Sequence, residues 1–212
     1  MNASTTLLLV RHGRTAWNDE ARFQGQADPP LDAVGRAQSE QVARRLAAAG
    51  ADALYASDLQ RAHGSAEIIG RRLGLEVHAS AALRERSYGT WQGLTRQEIE
   101  ARFPESWRQW LAQPEAHRPQ EGEAMAEMTA RVVRCLERVL AQHRRGRVVV
   151  VSHGGPIKSA VMHLLGIPAS HRRRFVIHNA SLTIFSRGAE RITLEALNDT
   201  CHLGAAESEW AV

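Results

Sequence analysis

The chain is poor in cysteine: Cys135 and Cys201 are the two in 212 residues. They lie far apart, and no Cys-x-x-Cys or similar metal-ligand spacing can be built from them. A disulfide-stapled secreted scaffold is excluded, and free thiols in a reducing, cytoplasmic setting are expected. Long apolar runs are missing too. None approaches the roughly 20 residues needed to cross a bilayer, and no basic stretch followed by an apolar core opens the chain. Neither a membrane partner nor a secretory leader is therefore expected. There is no His-Glu-x-x-His pattern, so no metal and no cofactor are expected. The charge excess is also small, a formal +4 carried almost wholly by arginine. It does not call for nucleic acid and suits a small anionic ligand. Internal repeats and linkers are absent, so a single domain spanning 1–212 is expected.

What the chain has is an unusual pair of strand ends. Leu7-Leu8-Leu9-Val10 runs straight into Arg11-His12-Gly13. A short, continuous apolar run reads as a strand buried on both faces, as in a parallel sheet. In open α/β sheets ligands bind outside the carboxyl ends of such strands. Val148-Val149-Val150-Val151 followed by Ser152-His153-Gly154-Gly155 repeats the design. Two strands ending in His-Gly bring two histidines to one sheet edge. A neutral imidazole can attack phosphorus, and an adjacent arginine can grip phosphate oxygens as a planar fork.

The remaining pattern alternates strand and helix. Arg14–Pro30 reads as a long loop, with Gly25 and Pro29-Pro30 as breakers. Helices are expected over Leu31–Ala49, Arg61–Leu73, Glu123–His143 and Pro156–Leu165, from apolar stripes such as Val34, Gln38, Val42 and Leu46. Short strands are expected at Ala53–Ala56, Leu75–His78, Leu182–Phe185 and Ile192–Leu197, the last two as a hairpin. Thr95 and Glu98 form a capping-box pattern for a helix that Pro104 ends near Phe103. Glu105–Glu121 reads as a helical excursion and loop outside the sheet, holding Trp107 and Trp110 either as its own core or as an apolar wall for a ligand. Cys135 sits near the inner stripe of the longest helix and reads as core. The tail Asn198–Val212 reads as polar and partly loose. Alternation of this kind means α/β with a mainly parallel sheet.

Four blocks together resemble the histidine phosphatase superfamily, also called phosphoglycerate-mutase-like. They are Arg11-His12-Gly13, Ser57-Asp58-Leu59-Gln60-Arg61-Ala62, Leu83-Arg84-Glu85-Arg86-Ser87-Tyr88-Gly89-Thr90-Trp91-Gln92-Gly93 and Ser152-His153-Gly154-Gly155. They occur in the family's order over nearly the whole chain. The resemblance implies a three-layer α/β sandwich. Its six-stranded central sheet is mostly parallel with one antiparallel strand, and a helical flap over about 95–122 covers the site.

It also implies roles. His12 would be the nucleophile that becomes phosphohistidine, and His153 a donor to the transferring phosphoryl group. Arg11 and Arg61 would clamp its charge. Glu85 would protonate the leaving oxygen and later act as base on water. Asn18, Gln24 and Gly25 match phosphate-binding positions of the first loop, and the amides of Gly13 and Gly154 could add donors. Glu121 and Glu123 have no matching role, and Glu98 is explained by capping. Gln24 stands where the mutase branch usually has threonine or serine, which leans toward the phosphatase branch. Gly64-Ser65 replaces a frequent threonine, a change expected to matter little.

The reading is therefore a phosphomonoesterase acting on small phosphorylated metabolites without a metal. It would be a monomer or homodimer. A bisphosphoglycerate-primed phosphoglycerate mutase is the alternative, and a non-catalytic binder of phospho-ligands or polyanions is the second. The basic clusters Arg144-Arg145-Gly146-Arg147 and His171-Arg172-Arg173-Arg174 read as solvated loops.

Overall fold

The computed structural model describes residues 4–204. The strands are β1 (Thr5–Arg11), β2 (Ala53–Ala56), β3 (Val77–Ala79), β4 (Gly146–Ser152), β5 (Leu182–Arg187) and β6 (Ile192–Asp199). The α-helices are α1 (Ala16–Asp19), α2 (Ala33–Ala49), α3 (Gln60–Leu73), α4 (Arg96–Arg102), α5 (Pro104–Ala112), α6 (Met125–Gln142) and α7 (Gly154–Leu165). The six strands form one sheet in the order β3-β2-β4-β1-β5-β6. β1 through β4 are parallel, and β5 runs against both neighbours, β1 and β6. No helix among the described residues is long and apolar enough to cross a membrane.

The continuous apolar runs are explained by cover on both sides of the sheet. Side chains alternate faces along a strand. Leu7 and Leu9 of β1, with Val148 and Val150 of β4, pack under α6 and α7 through Val132, Leu136, Ile157 and Val161. Leu8, Val10, Val149 and Val151 pack on the other face under α2 and α3, through Val42, Leu46, Ala66 and Ile69. Cys135 is buried in the first of these cores, as its place in the pattern suggests.

Register decides the rest. β1 and β4 pair in parallel with Leu7 beside Val148 and Arg11 beside Ser152. Each strand is followed at once by its histidine, and the His12 N–H donates to the Ser152 carbonyl at 3.0 Å. Two central, adjacent, parallel strands thus deliver His12 and His153 to the same edge.

The structure departs from the sequence reading in several places. Arg14–Pro30 is not plain loop: α1 forms inside it, closed by a capping box between Thr15 and Asn18. Pro104 does not end helicity for long. α4 stops at Arg102, and Pro104 opens α5 at its first position, where its missing N–H costs nothing. Asn198 and Asp199 complete β6, and Asp199 pairs with Arg45 of α2. The end of the expected loose tail, 205–212, lies outside the described residues.

α4 and α5 carry a separate aromatic core. Trp91, Ile99 and Trp107 are buried together, with Phe23, Tyr88 and Trp110 packed around them. The two excursion tryptophans therefore divide the alternatives left open by the sequence: Trp107 is core, while Trp110 also faces the cleft described below.

Leu54 of β2 is fully buried against α2 and α3. Leu54→Ala is expected to cost about 2–5 kcal/mol, since the deleted methyls leave a cavity that the sheet cannot close. Urea denaturation should show this as a lower midpoint at unchanged slope.

Candidate active site

A cleft of about 580 Å³ opens at the carboxyl ends of β1 and β4, lined by Arg11, His12, Arg61 and Glu85 among others. His12 is 3% exposed. Its Nδ1 lies 2.7 Å from the Gly13 carbonyl. A carbonyl can only accept, so Nδ1 carries the proton and Nε2 keeps its lone pair. Burial, then the positive charges of Arg61 and Arg11, hold the His12 pKa well below its ordinary 6.5. The ring is neutral and oriented, with its lone pair on Nε2.

The His153 ring meets it edge-on at 5.0 Å between centroids. His153 Nε2 lies 2.9 Å from the Ser57 hydroxyl, while its buried Nδ1 has no partner among the described residues. With Ser57 donating to Nε2, the Nδ1–H is a donor without a partner among the described residues. Burial, followed by Arg61, His12 and Arg11, also lowers the pKa of His153.

Arg61 occupies the first turn of α3, where a cation opposes the helix dipole. The cost is offset locally: Nη1 donates to the Ala27 carbonyl at 2.9 Å and Nη2 to the Gly25 carbonyl at 2.7 Å. Its Nε is buried without a partner among the described residues. Burial lowers its pKa to about 10, against the opposing pull of Glu85. Arg11 is fixed by donating from Nη1 to the Ile177 carbonyl at 2.6 Å.

Glu85 accepts from two backbone amides, Arg86 N–H at 2.8 Å and Gly155 N–H at 2.9 Å. A Cβ at position 155 would overlap this carboxylate, so any other residue there would push the Glu85 side chain aside.

Asn18 reaches the cleft through the α1 capping box. Its Oδ1 accepts from the Thr15 N–H at 3.1 Å, so its amide hydrogens are the end left to face a ligand. Gln24 is buried with its Oε1 unpartnered among the described residues, and Gly25 turns the chain at φ +54°. Gly154 lines the cleft at the start of α7, where a helix leaves its first amides without internal acceptors.

Gly13 does not join them. Its N–H donates to Ser65 Oγ at 3.1 Å, so it is not a phosphate donor. A Cβ there would overlap the Gly35 carbonyl, which makes Gly13 a close-packing glycine. Ser65, at the Gly64-Ser65 departure, gives its hydroxyl to the turn that follows β1.

Other residues escaped the sequence reading. Asn179 is buried and donates from Nδ2 to the His12 carbonyl at 3.0 Å. Lys158, the chain's one lysine, lines the cleft one turn into α7. Its pKa is lowered by burial and by nearby Arg172 and Arg11. Helical spacing from Gly154 could have found it. Arg172 corrects the solvated-loop reading of its cluster. It is buried, donates to Ser159 Oγ at 2.9 Å and to the Gly155 carbonyl at 2.5 Å, and lines the cleft with Arg173.

The profile of the histidine phosphatase superfamily (branch 1) matches residues 7–200, and the chain belongs to that family. It is 35% identical to phosphoserine phosphatase 1 of Hydrogenobacter thermophilus over 198 residues, covering 93% of this chain and 94% of that one. It is 34% identical to phosphoglycerate mutase-like protein 4 of Arabidopsis thaliana, covering 93% and 86%. The solved mycobacterial glucosyl-3-phosphoglycerate phosphatase superposes with a TM-score of 0.83 at 32% identity, covering 92% of this chain and 99% of that one.

Two outcomes are expected. In an NMR titration both imidazoles should still be neutral at pH 6.5, the ordinary histidine value, because their pKa values are depressed. The unfolded chain then takes up protons first, so folding stability should fall as pH drops below that value. Gly155→Ala should displace the Glu85 carboxylate and lower kcat about 100-fold, with the melting temperature as control.

Proposed function

We propose that the protein is a phosphatase that hydrolyses small phosphomonoesters through a phosphohistidine at His12, without a metal ion. The observation that carries this is His12 itself: neutral, buried, its lone pair fixed on Nε2, and flanked by arginines and a second histidine. Phosphoryl transfer needs positioning and positive charge around the equatorial oxygens more than covalent help. Arg11, Arg61, the His153 Nδ1–H and the Asn18 amide are suited to supply that charge and those donors.

His12 Nε2 attacks phosphorus as the bond to the ester oxygen breaks. Glu85, carrying a proton, gives it to that oxygen, and the alcohol leaves. The carboxylate of Glu85 then takes a proton from water as the water attacks the phosphohistidine, which restores His12 and releases inorganic phosphate. The guanidinium groups of Arg11 and of buried Arg61 serve where a metal would otherwise balance charge, and a chelator is expected to leave the rate unchanged.

Beyond the phosphoryl position the cleft is lined by Lys158, Arg172 and Arg173, and by Glu115 opposite in charge. This supports a leaving alcohol with a second anionic group, and Glu115 leaves room for an ammonium. Phosphorylated hydroxy or amino acids fit, in keeping with the phosphoserine and phosphoglycerate names among the relatives.

Phosphate release from a panel including p-nitrophenyl phosphate, phosphoserine and 3-phosphoglycerate tests the reading. His12→Ala should abolish release from all of them. Survival of release in His12→Ala would refute the mechanism, and transfer between phosphoglycerate hydroxyls without release would mark a mutase instead. Lys158→Met should raise KM for 3-phosphoglycerate about 10-fold or more, the weight of one charge-assisted hydrogen bond. KM for p-nitrophenyl phosphate should stay unchanged.

A further inference from the structure

We infer that the ion pair between Arg131 and Glu123, outside the cleft, is the positioning device of the catalytic acid. This rests on the reading of Glu85 as that acid. Residues 84–88, which carry Glu85, belong to no helix or strand. A strand ladder fixes His12, but nothing of that kind fixes Glu85. Its main chain is held instead mainly by one guanidinium reaching over from α6, with Gln26 Nε2 adding a longer bond to the Glu85 carbonyl at 3.2 Å.

Arg131 makes one bond for each of its five N–H groups. Nη1 donates to the carbonyls of Ala82 at 3.0 Å and Arg84 at 2.6 Å. Nη2 donates to the Glu85 carbonyl at 2.8 Å and to Glu123 Oε2 at 2.7 Å. Nε donates to Glu123 Oε1 at 2.7 Å. The fork–fork pair with Glu123 fixes the plane of the guanidinium, and that plane sets where the carbonyls of residues 82, 84 and 85 can lie.

Glu123 grips the same segment from its other side. It exchanges backbone and side-chain bonds with Ser87: Glu123 N–H to Ser87 O at 2.9 Å, and Ser87 N–H to Glu123 Oε2 at 3.3 Å. The Glu123 carbonyl also accepts from Arg86 Nε at 2.8 Å. Arg86 donates onward to the carbonyls of Pro114 and His117, so the loop after α5 is tied to the residue next to the acid. Both partners of the pair are largely buried, and neither lines the cleft. They touch no substrate and act through the main chain of Glu85.

The chemistry separates positioning from plain structural support. An acid matters when the leaving oxygen is a poor anion, as in 3-phosphoglycerate. It matters little for 2,4-dinitrophenyl phosphate, whose phenolate departs unprotonated. The experiment measures the rate of enzyme phosphorylation in the first turnover on both esters. It compares the intact protein with Glu85→Gln, Arg131→Met, Arg131→Lys and Glu123→Gln, with circular dichroism confirming the fold of each.

Glu85→Gln should lose activity on 3-phosphoglycerate and keep it on the dinitrophenyl ester. Arg131→Met and Glu123→Gln should show the same bias, with a loss of about 100-fold on the first ester and under about 3-fold on the second. Arg131→Lys, with three donors for five, should fall between. If Glu85→Gln shows no bias, the reading of Glu85 as the acid fails. If it does and the pair's variants lose both activities equally, or neither, the positioning role is overturned. Failure of all three pair variants to fold would overturn it too, by making the pair a requirement of the fold and not of the acid.

Discussion

The parallel ladder between β1 and β4 is the constraint on which the site depends. The register that sets Arg11 beside Ser152 leaves no freedom in where the next residue of each strand goes. A shift of one residue would turn every side chain to the other face and move Leu7, Leu9, Val148 and Val150 out of the core they share with α6 and α7. Core packing on two faces therefore sets the separation of two histidines that take no part in it. The rigidity is borrowed from the hydrophobic effect, and the chemistry sits one residue beyond its reach.

That placement has an electrostatic cost. Arg61 is 1% exposed and its guanidinium bonds are to carbonyl oxygens, while Glu85 contributes to it through space and not by contact. Burying a cation without a bonded carboxylate is unfavourable, which is why its pKa is lowered. The same positive field, added to burial, keeps both histidines neutral. Arg11, Arg61 and the two histidines destabilise one another's charged forms, and the dianion of the proposed substrate would relieve all of them at once. Local rules broken together in one cleft are what a binding site for a multiply charged anion looks like before it is filled.

Much of the fold was legible because its signals are local. Ala53–Ala56 forms β2 with the expected bounds, Thr95 and Glu98 cap α4 as their spacing suggests, and the two His-Gly strand ends meet. What escaped depends on contacts distant in sequence, or on weaker local signatures. α1 is closed by asparagine where the familiar capping pattern has glutamate or glutamine, so the loop hid a helix. The fate of the Gly13 amide is settled by Ser65, 52 residues away. Arg172 looks like any arginine in a basic run, and the pairing with Ser159 and Gly155 that buries it is visible only in three dimensions.

The groups proposed as nucleophile and acid, His12 and Glu85, are held by different physics. His12 ends a strand, and its carbonyl and those around it are tied by Asn179 and Ala180. Glu85 sits on a stretch whose carbonyls would otherwise face away from any ladder, and buried carbonyls need donors. A guanidinium with five donors is the side chain best matched to several converging carbonyls, provided an anion fixes its orientation. Glu123 supplies that anion, and through Ser87 and Arg86 it also ties the acid to the loop after α5. Pro114 and Glu115 of that loop line the cleft, so on the proposed mechanism the elements beside the leaving group would be linked to the group that protonates it, while His12, anchored at the sheet, would stay indifferent to them. On that reading, such a division would let the α4–α5 excursion vary with substrate without disturbing the step proposed at His12.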